Sequence, residues 1–233
     1  MDRWRYILVE KNKGIEGEKI TKVGVGWGVH FLDMSLVPEN SVVISCGLGR
    51  DVSFDAALIR EKNCIVVGID PTNLSEKWIN AIKEEDAHFN SNFKLIKKAL
   101  YGEKGKALRI GSRAWSLLAK KSESFYEVQP ITLKEVLEEY PNPSVLKLDI
   151  EGSEYSVFNS IDYLTIPQIT VEFHHWLGDV EDWSHGQCNN PYTIDDTKQC
   201  IKKLENMGYR VAASEDSPPI REIVEVLFIR NDL

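Results

Sequence analysis

The chain has 233 residues, of which 42% are hydrophobic and 27% charged, and it carries a formal net charge of −8. That composition fits one globular domain with a sizeable core and excludes disordered or collagen-like classes. The acidic balance argues against a nucleic-acid backbone as partner, which rewards Lys and Arg, and no run reaches the roughly 20 apolar residues that would span a bilayer.

Residues 1–23 are mixed in character and read as an N-terminal extension of uncertain packing, ahead of one domain over 24–233. The GVGWG segment at 24–28 places glycines at alternate positions. From Ser41 the pattern becomes regular. SVVISC (41–46) reads as a buried strand ending in Gly47, and 52–62 as a helix with Val52, Ala56 and Ile59 on one face. CIVVGI (64–69) is a second buried strand ending at Asp70-Pro71, and Ser75 can cap a helix carrying Trp78, Ile79 and Ile82. FKLIKKAL (93–100) reads as a third strand, and Gly102 and Gly105 as a turn returning through a hairpin strand at 106–110.

Thr132 and Glu135 form a capping-box pattern for a helix over 132–140, stopped by Pro141 and Pro143. VLKLDI (145–150) is a fourth strand, followed by a helix over 153–163. QITVEFH (168–174) is a fifth, and 193–207 a helix stopped by Gly208. Strands over 209–214 and 223–230 are joined too closely for a helical crossover, so they are expected to be antiparallel. Strand–helix alternation with a terminal hairpin predicts an α/β Rossmann-like fold: a mostly parallel seven-stranded sheet with helices on both faces. Ligands in such sheets bind beyond the carboxyl ends of the strands.

Those ends carry the candidate chemistry. Gly47-Leu48-Gly49 lets the backbone turn tightly and approach a ligand, and Asp70 can accept the hydroxyls of a ribose. Val52 stands where a dinucleotide fingerprint wants its third glycine, which favours S-adenosylmethionine over NAD. Asp149 and Glu151 end the fourth strand, and Glu172 and His174 the fifth. Glu154 and His175 are further candidates. Two carboxylates and a histidine near the cofactor could take a proton from an acceptor. Asp149, Glu172 and His174 could also hold Mg²⁺, although nothing in the pattern requires a metal. Trp27 is a candidate contact, and the polar segment 178–192, with Trp183 and His185, could cover the acceptor site. The rival readings are an NAD-dependent oxidoreductase and a non-catalytic module on the same fold.

Taken in order, VVISCGLGRDVSFDAAL, VVGIDPT, KKALYG, VLKLDIEGSEY and ITVEFHH resemble the FkbM-type methyltransferases. The resemblance covers about residues 24–230, and KLDIEGSEY is its most specific part. It implies S-adenosylmethionine binding and most often O-methylation of a small molecule or sugar. By the same match Gly47, Leu48 and Gly49 line the methionine end of the cofactor. Asp70, followed by Pro71, holds the ribose, Ala99 and Leu100 lie beside the adenine, and Asp149 sits near the sulfonium. Where the family usually carries Asp, two residues before the first glycine, this chain has Ser45, and Asp51 is the expected substitute for that charge. Asp149, Glu172 and His174 are the expected catalytic residues.

The four cysteines, Cys46, Cys64, Cys188 and Cys200, lack zinc-ligand spacing. The opening MDRWRYILVEKNKG is too polar for a signal peptide. Both point to reduced thiols and a cytoplasmic setting, and the oligomeric state is left open.

Overall fold

The computed structural model describes residues 19–111, 117, 125–175, 191–216 and 223–233. Two short strands, β1 (Ile20–Val23) and β2 (His30–Asp33), pair antiparallel, so residues 20–23 are tied to the body of the protein. Then follow β3 (Val42–Cys46), α1 (Ser53–Lys62), β4 (Ile65–Ile69), α2 (Asn73–Glu85), α3 (Ala87–Asn92) and β5 (Phe93–Ile96). The middle of the chain gives β6 (Ala99–Leu100), β7 (Leu108–Gly111), β8 (Phe125–Val128), β9 (Pro130–Ile131), α4 (Leu133–Glu139), β10 (Val145–Leu148) and α5 (Glu154–Asn159). The last elements are β11 (Gln168–His174), α6 (Ile194–Asn206), β12 (Tyr209–Asp216) and β13 (Ile223–Arg230).

The central sheet has seven strands in the order β12-β13-β11-β10-β3-β4-β5. The pairs from β5 through β11 are parallel, and β13 and β12 add antiparallel. The strand order reverses beside β3: the chain first grows outward through β4 and β5, then returns to the other side with β10 and β11. A crevice therefore opens between the carboxyl ends of β3 and β10.

The inner strands are apolar on both faces because helices cover both. On one side Val43, Val66 and Val145 meet Phe54, Leu58 and Ile59 of α1, Ile79 of α2 and Phe89 of α3. On the other, Ile44, Leu146, Ile169 and Phe173 meet Leu133 of α4, Phe158 of α5 and Leu204 of α6. The Thr132–Glu135 capping box starts α4 as expected.

Several local expectations are corrected. Thr72, not Ser75, caps α2, because its hydroxyl accepts the Ser75 amide. The stretch 93–100 is not one strand. It breaks at Lys97-Lys98, and Ala99–Leu100 leaves the main sheet to pair with β9. β7 pairs with β8 instead of returning on the third strand. The helix after β10 is confined to Glu154–Asn159. Trp183, His185 and Cys188 lie outside the described residues. No helix of the described residues is long and apolar enough to cross a membrane.

Candidate active site

β3 ends at Cys46, and Gly47 turns the chain with φ +77°. A Cβ on Gly47 would lie 1.6 Å from the Asp149 carbonyl oxygen, so the turn is packed against the end of β10 and admits glycine only. Three contacts fix it there. The Asp149 amide donates to the Cys46 carbonyl at 3.1 Å, and the Gly47 amide donates to the Ile69 carbonyl at 3.0 Å. From behind, the Lys147 ammonium donates to the Gly47 carbonyl at 2.5 Å. Asp70, at the end of β4, clamps the front: one oxygen accepts the amides of Leu48 (2.8 Å) and Gly49 (3.2 Å). The other oxygen accepts the amide and hydroxyl of Thr72. Asp70 thus organises the turn, and a ribose would share its carboxylate with these donors.

Asp51 does not reach Ser45. Its oxygens accept from the Ser53 amide at 2.9 Å and the Gly28 amide at 3.1 Å. Burial opposes its charge, but hydrogen bonds from Ser53, Gly28 and Trp27 prevail and hold the carboxyl below the usual range. Asp51 is therefore the anchor of the GVGWG segment. That anchoring leaves the Trp27 side chain 87% exposed at the mouth of the cleft.

Beneath the turn, the carboxylate nearest in role to the missing acid at Ser45 is Asp55 of α1, which sequence reasoning did not single out. It is fully enclosed, and burial pushes it up to about 6 against the pull of Lys147. One of its oxygens and the Ser45 hydroxyl form no well-aligned hydrogen bond.

The carboxyl ends of β10 and β11 bring the expected acid–histidine cluster together. One donor atom from each of Asp149, Glu172 and His174 lies within 4.8 Å of the others, close enough for a cation to bridge. His174 donates from Nδ1 to Glu154 Oε1 at 3.0 Å. Its Nε2 faces Glu151 at 3.6 Å and Asp149 at 3.9 Å. Glu154 is fully buried, and the same oxygen accepts the amides of Ile150 and Gly152. Glu151 reaches the cluster from a left-handed turn residue, φ +54°, beyond the end of the strand, not from the strand itself.

Burial works against a charge on His174, but Glu154, Glu151 and Glu172 outweigh it and lift the imidazole well above its ordinary value. These carboxylates thus favour the imidazolium form of His174, which sets a cation among them. Burial and the neighbouring charge of Asp149 raise Glu172 well above the carboxylate range. Asp149 is also raised, by burial first, with Lys147 and His174 pulling the other way. His175 faces the opposite side of the sheet, against Thr197 of α6 at 2.9 Å, and burial lowers it to about 4. It is not among the residues that line the cleft.

Sequence reasoning also missed Lys147, whose side chain is 4% exposed. The available signal was a lone lysine in the buried run VLKLDI. A second missed pair lies deeper. The Glu225 oxygen is 2.7 Å from His30 Nδ1 but off the bonding direction of the ring, whose nitrogens have no hydrogen-bond partner among the described residues. Burial holds His30 neutral, with its value lowered to about 3.

The cleft enclosed by these elements has a volume of about 600 Å³, within the range of small-molecule sites. Gly47, Leu48, Gly49, Asp51, Asp70, Pro71, Ala99, Leu100 and Asp149 all border it, as do Glu172 and His174. Its lining combines the apolar Pro71, Leu74, Ala99 and Leu100, suited to a base, with the carboxylates of Asp149, Glu151 and Glu172, suited to a positive sulfur, and so fits S-adenosylmethionine.

The family model described as the methyltransferase FkbM domain matches residues 9–211. The chain belongs to the FkbM methyltransferase family. It is an enzyme of that class, and the family implies S-adenosylmethionine as its methyl donor. No curated protein matches it. Among solved structures, it is similar to the fibrillarin pre-rRNA processing protein of Methanococcus jannaschii at 12% identity. That match covers 93% of this chain and 86% of the other, with a TM-score of 0.50, and supports the Rossmann-like fold alone. A precorrin-6y C5,15-methyltransferase from Geobacter metallireducens matches at 12% identity over 83% of this chain and 81% of the other, TM-score 0.45.

Proposed function

We propose that this FkbM methyltransferase transfers a methyl group from S-adenosylmethionine to an oxygen of a small molecule or sugar. The observation that carries this reading is the meeting of Asp149, Glu172 and His174 beside the Gly47 turn, in the lining of the cleft. When bound, the cofactor supplies an electrophilic methyl group on a sulfonium.

The residues of the chain account for the rest. Gly47, Leu48 and Gly49 would hold the methionine end, Asp70 and Pro71 the ribose, and Ala99 and Leu100 the adenine. Asp149 would stand toward the positive sulfur. Glu172, in its ionised form, accepts the proton of the acceptor hydroxyl; its raised affinity for a proton makes that form a stronger base than an ordinary carboxylate. His174, held by Glu154 through Nδ1, favours its protonated form and offsets the crowded negative charge. Alignment of the acceptor hydroxyl contributes much of the acceleration, on the order of 7–11 kcal/mol in favourable systems.

The test is kinetic, with a panel of sugar and small-molecule hydroxyls as acceptors. Asp149→Asn and Glu172→Gln are each expected to lower turnover with the acceptor that reacts. Full turnover in both variants refutes the assignment.

A further inference from the structure

We propose that Lys147 is a positioning residue for the cofactor: its ammonium holds the Gly47 turn in place and sets a positive charge behind Asp149, the carboxylate that faces the sulfonium. The inference rests on the reading that the cleft binds S-adenosylmethionine.

An ammonium with almost no exposure in the centre of a sheet needs partners, because an unpaired buried charge is costly. Lys147 has two on the cofactor side. It donates to the Gly47 carbonyl at 2.5 Å and lies 3.7 Å from Asp149 Oδ2. The first contact draws the Gly47 carbonyl back from the cleft while Asp70 grips the amides of Leu48 and Gly49 from the front. The turn is thus clamped on both sides, and Lys147 is the inner jaw. The second contact places a fixed positive charge behind the carboxylate that faces the donor.

The neighbourhood explains why that charge matters. Glu151 faces Asp149 from its own loop, Glu172 and His174 from β11, and His30 from β2. Around Lys147 itself stand Ser45 on β3, Asp55 on α1 and Glu225 on β13. Acids outnumber bases here, so without Lys147 Asp149 would retain a proton to higher pH. A protonated Asp149 has no net attraction for a sulfonium. S-Adenosylhomocysteine lacks that positive charge, so comparing the two ligands isolates the electrostatic part from the shape of the turn.

Calorimetric titration of both ligands across about pH 5.5–9, with no acceptor present, tests the inference. In Lys147→Met both ligands are expected to bind more weakly, about tenfold or more for S-adenosylmethionine near neutral pH. The pH at which S-adenosylmethionine becomes favoured over S-adenosylhomocysteine is expected to move upward. Lys147→Arg keeps a cation and is expected to hold that midpoint near the wild-type pH. In an Asp149→Asn background the midpoint is expected to be insensitive to Lys147→Met. If the wild type binds neither ligand, the donor assignment fails. If the wild type binds both and Lys147→Met matches it at every pH, or its preference midpoint stays in place, the inference about Lys147 fails on its own. A midpoint that moves upward from the wild-type pH in Lys147→Arg also overturns it, and this arm remains readable should the methionine variant fail to fold.

Discussion

Glu225 gives the most quantitative test of the buried charges behind the site. Its side chain is 13% exposed and stands opposite Glu172 across the β11–β13 pair and opposite Glu215 across the β12–β13 pair. Burial pushes its carboxyl from 4.5 up to about 7, opposed by Lys147 and Lys22 and reinforced by Glu215. The folded state therefore binds this proton more tightly than the unfolded chain does. The stability linked to Glu225 is fully present below about pH 4.5 and is lost as pH rises to about 7. That interval corresponds to an upper bound of about 3 kcal/mol. Glu225→Gln keeps the shape and cannot ionise. Urea denaturation at about pH 5 and pH 8 is the assay. The Gln variant is expected to be close to wild type at the lower pH and more stable at the higher one, by up to ~3 kcal/mol. A stability difference that is the same at both pH values, or a Gln variant that is weaker at pH 8, refutes the argument that burial dominates at this site.

Three further outcomes follow from the cleft. Gly47→Ala combines a left-handed backbone, costing about 1–2 kcal/mol, with a collision against the Asp149 carbonyl. It is expected to abolish S-adenosylhomocysteine binding in calorimetry and to lower the melting temperature. Glu154→Gln removes the largest influence raising His174, so the imidazolium should lose its proton at lower pH. The alkaline limb of the rate profile is then expected to move down, and an unshifted limb would falsify the role given to His174. Because the imidazolium form of His174 sets a cation between the carboxylates, EDTA treatment is expected to leave turnover unchanged. Activity lost to the chelator and restored by Mg²⁺ would instead make Asp149, Glu172 and His174 a metal site.

The frame of this protein was largely legible in its sequence. Buried apolar runs located the strands at 42–46, 65–69, 145–148 and 168–174, and the close spacing of the last two strands foretold their antiparallel pairing. The capping box at Thr132 was readable because it is local. Breaks that depend on tertiary pairing were not. FKLIKKAL is continuous in pattern, yet Ala99–Leu100 is captured by Pro130–Ile131, a partner 31 residues away that no local rule reveals.

The site divides in the same way. Asp149, Glu172 and His174 were visible because strand ends are where such sheets do chemistry. Lys147, Asp55 and the His30–Glu225 pair were hidden because each sits inside an otherwise apolar segment, and only the packing of α1, β2 and β13 brings them together. Asp51, expected to stand in for the acid missing at Ser45, borders the cleft and anchors Gly28, and Asp55 is buried on α1.

The methyl-donor assignment is tested by calorimetric titration of the wild-type protein with S-adenosylhomocysteine. Saturable binding at one site per chain is expected, weakened by Asp149→Asn when S-adenosylmethionine is the ligand. Binding of NADH with no response to S-adenosylhomocysteine would contradict it.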